Sequence, residues 1–163
     1  MIKKFITTIM INTIFASSIA WAGMTAIETR KQNDELQCLA LNIYFETRAS
    51  SLADAMSVSD VVLNRVNSTR FPNSVCDVVY EGIEKGRHKC QFSWYCDGKS
   101  DTPKNKTAWE KSRKYARDIY IYGRYIGITE GATHYHANYV KPYWAPTLDR
   151  ITRIGSHIFY RLK

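Results

Sequence analysis

The amino-acid sequence predicts an α+β fold, mainly helical, with a small antiparallel β element near its C-terminal end. Three observations carry this. Apolar residues recur at helical spacing in separate stretches, each preceded by a capping residue. The last forty residues change character and become rich in aromatic and β-branched side chains, which favour strands. With 163 residues, 45% of them hydrophobic, the chain has enough apolar surface for one core and too little for two ordinary ones.

The first helix of the domain is expected from Asp34, its N-cap, with Leu36, Leu39, Ala40, Ile43 and Tyr44 on one face and Glu46 in the last turn. Ser51 and Asp54 form a capping-box pattern that opens a second helix, expected to end near Asn67. Arg70 to Asn73 read as a turn, and Ser74 with Asp77 repeats the cap before a short helix over 75–80. Glu81 to Lys89 is a Gly- and charge-rich loop, and "CQFSWYCDG" over 90–98 is expected to be a stapled loop or short strand. A further helix is predicted to start at Thr102-Pro103, to bury Ala108, Trp109, Ala116, Ile119 and Tyr120, and to stop at Gly123. "GATHYHANYV" and "SHIFYRL" then supply two or three strands.

Residues 1–22 read as a secretory signal peptide or a releasable signal anchor: a basic start at Lys3 and Lys4, an apolar run, and an A-x-A cleavage site at Ala20-Trp21-Ala22. Residues 23–33 are polar and aperiodic, a flexible leader to a domain over 34–163. The mature form is expected to have no stable membrane span. Export places Cys38, Cys76, Cys90 and Cys96 in an oxidising compartment, where an even number implies two disulfides; three pairings are possible and the sequence does not choose among them. The net charge of +8 draws two of its charges from Lys3 and Lys4, and much of the remainder lies between Lys99 and Arg124. In an exported protein that excess suits an anionic wall polymer rather than nucleic acid.

Glu46 is the residue whose chemistry stands out. A carboxyl at a helix C-terminus feels the negative end of the dipole, and the preceding Ile43-Tyr44-Phe45 disfavour ionisation; both effects hold the proton on the acid. A protonated carboxyl near neutral pH is what cleavage of a glycosidic bond requires. The competing reading is a solvated carboxylate at a helix end. Gln91, Ser93 and Trp94 in the cysteine-flanked loop combine neutral hydrogen-bonding groups with a flat apolar face, a mixture that suits sugars, although Phe92 and Trp94 equally suit a core. His134 and His136 fall on one side of a strand, with Thr133 and Tyr135 on the other. That spacing can hold a metal, but no third ligand is evident: His88 lies in a loop, His157 is distant in sequence and no H-E-x-x-H occurs. No metal and no cofactor are expected.

Taken together, "IYFETR", "VVLNRV", "RFPNSVCDVVY", "CQFSWYCDG", "GATHYHANYVKPYW" and "IGSHIFYR" occur in the order and spacing found in SleB/CwlJ-type cell-wall hydrolases, and the chain resembles that family over about residues 36–161. The resemblance implies a lysozyme-like fold acting on the glycan strands of peptidoglycan. It further implies lytic transglycosylation between N-acetylmuramic acid and N-acetylglucosamine, with a 1,6-anhydro end as product. The family's acid/base glutamate, carried across, falls on Glu46. Tyr44, Gln91, Ser93, Trp94, His134, His136, Tyr139 and Trp144 are the expected substrate-binding residues. The chain departs from the family pattern at Ala49 and Ser50, where the family has glycine and a second acid. A retaining or inverting hydrolase needs two carboxylates. A transglycosylase needs one, because the muramic 6-hydroxyl is the nucleophile; Asp54, Asp60 and Asp97 are the remaining sources of a second. The expected partner is peptidoglycan, the expected state a monomer, and the expected location the periplasm or the cell wall. A hydrolytic muramidase, a wall-binding module without catalysis and a zinc amidase are the alternatives.

Overall fold

Helix α1 spans Lys3–Thr47, α2 Leu52–Val66, α3 Val75–Val79 and α4 Lys106–Tyr120; strands β1 His134–Ala137, β2 Asp149–Ile154 and β3 His157–Arg161 follow. This computed structural model describes residues 3–48, 51–87 and 89–163, with side chains from residue 25 onward. The expected cleavage site at Ala20-Trp21-Ala22, the Ala49-Ser50 departure and His88 therefore lie outside the described side chains. The chain divides into a unit of residues 1–34 and a unit of Glu35–Lys163. Residues 23–33 are helical rather than irregular, and Asp34 lies inside α1 instead of capping it. Ala26, Glu28, Arg30, Lys31 and Gln32 are all good helix formers, so local propensity carries the helix through a stretch that has no apolar face. Among the described residues no helix is long and apolar enough to cross a membrane.

In the unit of Glu35–Lys163 the apolar spacing of the first helix buries Leu39, Ala40 and Ile43 completely or nearly so. Each Leu or Ile withdrawn from water in this way contributes about 1.5–3 kcal/mol. Helix α2 is the centre of this unit. Ser51 caps it, its Oγ accepting from the Asp54 N–H at 3.0 Å, and Asn67 closes it, as the capping pattern predicts. It packs on α3, α4 and β2, so Ala55, Met56, Val58, Val61 and Val62 are all buried.

Two links fasten α3 beneath the first helix. The disulfide Cys38–Cys76 is one, and the buried Glu35 carboxylate, which accepts the Val75 and Cys76 N–H groups at the α3 N-terminus, is the other. Cys90–Cys96 is the second disulfide and closes the aromatic loop, which holds a 3₁₀ turn over Ser93–Cys96 and no strand. Helix α4 starts three residues later than Thr102-Pro103 suggests. Asn105 is the N-cap, its side chain accepting from the Ala108 N–H at 3.0 Å. The Tyr44 hydroxyl accepts the Lys104 and Asn105 N–H groups at 3.1 and 3.0 Å, which fixes the entry to the helix at that point. Gly123, at φ 63°, supplies the left-handed residue just past the helix end.

The three strands form one antiparallel sheet in the order β1-β3-β2, with a register shift between Arg150 and Thr152. Its tight turn at Gly155-Ser156 is pinned to the start of α2. Asp54 Oδ1 accepts the Ser156 N–H at 3.0 Å and the Ser156 hydroxyl at 3.1 Å, and lies 3.1 Å from His157 Nδ1. The segment between α4 and β1 is held from the same helix. Asp60, fully buried, accepts the Gly127 and Thr129 N–H groups and the Thr129 hydroxyl, and Asn64 donates to the Ala132 carbonyl. Thus α2 fixes where β1 begins.

Candidate active site

Glu46 is presented by the last turn of α1, and β1 runs toward it from the other side of the chain. The Tyr135 hydroxyl donates to Glu46 Oε2 at 2.9 Å. Tyr135 is opposite Phe159 in the β1–β3 register and packs on its ring at 5.7 Å, so the sheet core sets the reach of the phenol. Beneath both lies Arg65, buried, with Nε donating to the Thr133 carbonyl at 2.8 Å and its guanidinium over the rings of Phe71 and Phe92 at 5.3 and 5.4 Å. Its Nη1 is buried with no hydrogen-bond partner among the described residues.

A groove of about 430 Å³ opens over these groups, lined by Glu46, Arg65, Gln91, Ser93, His134, Tyr135, His136, Tyr139, Trp144 and His157 among others. Glu46 is the only carboxyl among them. Burial pushes its pKa above the ordinary carboxylate value; the Tyr135 hydroxyl and the Arg65 charge pull the other way without cancelling the shift. Burial also raises Tyr135 well above an ordinary phenol, with the Glu46 charge adding to it, so Tyr135 stays a donor. His134 is lowered by burial and by Arg65, which favours the neutral ring.

The groove unites Glu46 with Gln91, Ser93, His134, His136, Tyr139 and Trp144 from the expected set. Trp144 stands against both histidines, with ring centroids 5.7 Å from each and 5.6 Å from Tyr160, and forms an aromatic wall. His136 is oriented by its own contacts: Nδ1 at 2.8 Å from the Ala137 carbonyl and Nε2 at 2.9 Å from the Tyr160 hydroxyl. Tyr44 and Trp94 do not line this groove. Trp94 is a core residue, stacked on Phe45 at 4.7 Å, its indole N–H donating to Asn42 Oδ1 at 3.1 Å. The Tyr44 hydroxyl oxygen accepts from the backbone before α4. Both line a second cavity together with Phe45.

The other carboxylates proposed as a second acid are engaged elsewhere. Asp54 holds the sheet turn, Asp60 holds the segment before β1, and Asp97 accepts the Lys99 N–H at 2.8 Å. His157, remote in sequence, is brought to the groove by the pairing of β3 with β1, where it sits opposite Ala137, but its Nδ1 is turned to Asp54. Among the described residues no three His, Cys, Asp or Glu side chains converge as a metal-ligand set. Arg65 and Tyr135 escaped the sequence reading. Arg65 occupies an apolar-face position of α2 with Val58, Val61 and Val62, and an arginine in that stripe is the signal that could have found it. Strand alternation puts Tyr135 on the face opposite the histidines, and it is Tyr135 that meets Glu46.

The chain matches the family model described as "Cell Wall Hydrolase" over residues 50–160. The matched residues begin after Glu46. Spore cortex-lytic enzyme of Bacillus subtilis (strain 168) is 30% identical over 127 residues, covering 78% of this chain and 37% of that protein. The enzyme of the same description from Bacillus cereus is 33% identical over 129 residues, covering 78% of this chain and 44% of its own length. The chain thus spans less than half the length of these curated relatives. Two solved structures share the fold: the catalytic domain of the Bacillus cereus SleB protein, with a TM-score of 0.58 and 27% identity over 79% of this chain and 91% of that one, and the catalytic domain of the germination-specific lytic transglycosylase SleB from Bacillus anthracis, with 0.58 and 29% over 78% and 93%. Sheet, helices and motif order agree with that match, and the chain belongs to the cell wall hydrolase family.

Proposed function

We propose that the protein is an exported peptidoglycan-degrading enzyme that cleaves the bond between N-acetylmuramic acid and N-acetylglucosamine by lytic transglycosylation, with Glu46 as its sole acid/base. The observation that carries this reading is that one carboxyl, raised toward its protonated form, lines a groove that has no second carboxylate among the described residues. The name of the SleB neighbour, a lytic transglycosylase, supports the same chemistry.

In this scheme Tyr135 donates to Oε2, which leaves Oε1 to carry the acid proton. That proton passes to the bridging oxygen as the bond to the anomeric carbon breaks. The carboxylate so formed is stabilised by the Tyr135 hydroxyl and by the Arg65 charge. It then accepts the proton of the muramic 6-hydroxyl as that oxygen closes on the anomeric carbon, so no water is consumed. Trp144, Tyr139, Gln91 and Ser93 offer the flat faces and neutral donors that sugars require. The leader over 1–22 and the wall or periplasmic location belong to this proposal, as does a monomeric state.

Digestion of purified sacculi tests it. Anhydro-muropeptides are the expected products; muramic acid with a free reducing end would indicate a muramidase, and binding without soluble fragments would indicate a wall-binding module.

A further inference from the structure

The second cavity, about 480 Å³, lies against the same end of α1, lined by Tyr44, Phe45 and Arg48 on one side and by Trp94, Asp97, Lys99 and Asp101 on the other. Its character differs from that of the groove. The Trp94 indole N–H is given to Asn42, and the Tyr44 hydroxyl oxygen is taken up by the backbone N–H groups at 104–105. Ser100 and Asn105 add neutral polar groups to the wall, and the other polar side chains there are charged. Lys99 lies 3.3 Å from Asp97, so those two answer each other. Arg48 and Asp101 do not: neither side chain makes a hydrogen bond or ion pair among the described residues, and although they line one cavity they are not paired with each other.

An unpaired cation and an unpaired anion on one cavity match an amino-acid zwitterion, its carboxylate meeting a guanidinium and its ammonium a carboxylate, each as a charge-assisted hydrogen bond. Arg48 follows the acid by two positions, with Thr47 between them, and its left-handed backbone, φ 50°, ends the helix there. Peptidoglycan carries short peptides on its muramic acids, and where such a peptide contains diaminopimelate, the free end of that residue, with an amino and a carboxyl group on one carbon, is such a zwitterion.

Resting on the glycan-cleaving reading of the groove, we propose that this cavity binds the zwitterionic end of a stem peptide, with Arg48 taking the carboxylate and Asp101 the ammonium, so that the enzyme selects strands that still bear peptides. The burial that raises Asp101, together with the neighbouring Asp97 charge, is relieved when an ammonium arrives.

The test is a titration of the full chain with the free tripeptide L-alanyl-γ-D-glutamyl-meso-diaminopimelate, with tetra-N-acetylchitotetraose as the reference ligand for the groove. The tripeptide is expected to bind the wild type, to bind at least about tenfold more weakly to Arg48→Ala and to Asp101→Asn, and to be unaffected by saturating chitotetraose. The variants are expected to bind chitotetraose as the wild type does, which shows that they fold. No binding of the tripeptide, equal binding by both variants, or displacement by chitotetraose would overturn the inference. Failure of the glycan reading shows separately, as a Glu46→Gln enzyme that still clears sacculi; loss of tripeptide binding with wall cleavage intact removes only the second site.

Discussion

The hydroxyl of Tyr135 donates to Oε2 of Glu46 at 2.9 Å, joining the end of the first helix to the middle of the first strand across 89 residues of sequence. In the proposed reaction this contact leaves Oε1 to carry the proton and stabilises the anion left after proton transfer. Tyr135→Phe removes that stabilisation while keeping the ring on Phe159. Because the hydrogen bond lowers the Glu46 pKa, its loss raises that value further. The acid must be protonated to act, so activity falls as pH rises through the Glu46 pKa, and this descending limb should move to higher pH in the variant. A rate lower by roughly tenfold to a hundredfold is expected alongside. A limb that stays in place in turbidity assays of sacculi would remove Tyr135 from the mechanism.

Glu46 is costly to the fold. A carboxyl whose pKa is raised on folding contributes stability that is present below its unfolded value and lost as pH rises through the folded value. Glu46→Gln should therefore melt at a higher temperature than the wild type at neutral pH, and the difference should shrink toward pH 4. Calorimetry at several pH values reads this directly; a variant less stable at neutral pH would contradict it.

Asp54 works in the opposite direction. Burial alone would raise its carboxyl, but hydrogen bonds from Ser51, Ser156 and His157 outweigh it and the net shift is downward. A depressed carboxyl contributes stability above its unfolded value and loses it as pH falls through the folded one. Asp54→Ala should cost about 2–4 kcal/mol at neutral pH and much less in acid, as urea titrations would show. Gly155→Ala attacks the same joint, since its Cβ would fall 2.3 Å from Asp54 Oδ1 at a backbone φ of 54°. An alanine that leaves the unfolding midpoint unchanged would show that the turn is not held this way.

The Cys38–Cys76 disulfide closes a loop with a sequence separation of 38 and ties α1 to α3. Replacing both cysteines with serine should cost about 2–4 kcal/mol. The wall-clearing rate at low temperature should survive, because neither cysteine borders the groove.

Trp144 gives a prediction on substrate binding. Its ring makes the wall beside His134 and His136. Trp144→Ala should raise KM for soluble glycan strands about tenfold, with a smaller effect on kcat. An unchanged KM would place the strand elsewhere.

The elements that were legible in the sequence are those governed by local rules. Ser51 and Ser74 cap helices as their spacing requires, and the apolar stripes of the first two helices turn inward except for Leu52, which is exposed at the first residue of α2. The start of α4 was not legible, because the Tyr44 hydroxyl that fixes its entry comes from a residue far away in the chain. The same limit governed the site. Glu46 was singled out by its neighbours, and the histidines and Trp144 by composition. The partners of the acid, Tyr135 and Arg65, depend on how β1 registers with β3 and on which face of α2 turns inward, neither of which a local pattern contains. Trp94 illustrates the converse: a sugar-like setting in sequence, yet its indole N–H answers Asn42 and its ring fills the core.

The most direct measurement is mass spectrometry of the fragments released from purified sacculi by the wild-type chain and by Glu46→Gln. The expected result is muropeptides one water lighter than their hydrolytic counterparts from the wild type, and no soluble fragments from the variant. Release at the wild-type rate by Glu46→Gln would contradict the claim that this one carboxyl serves as both acid and base.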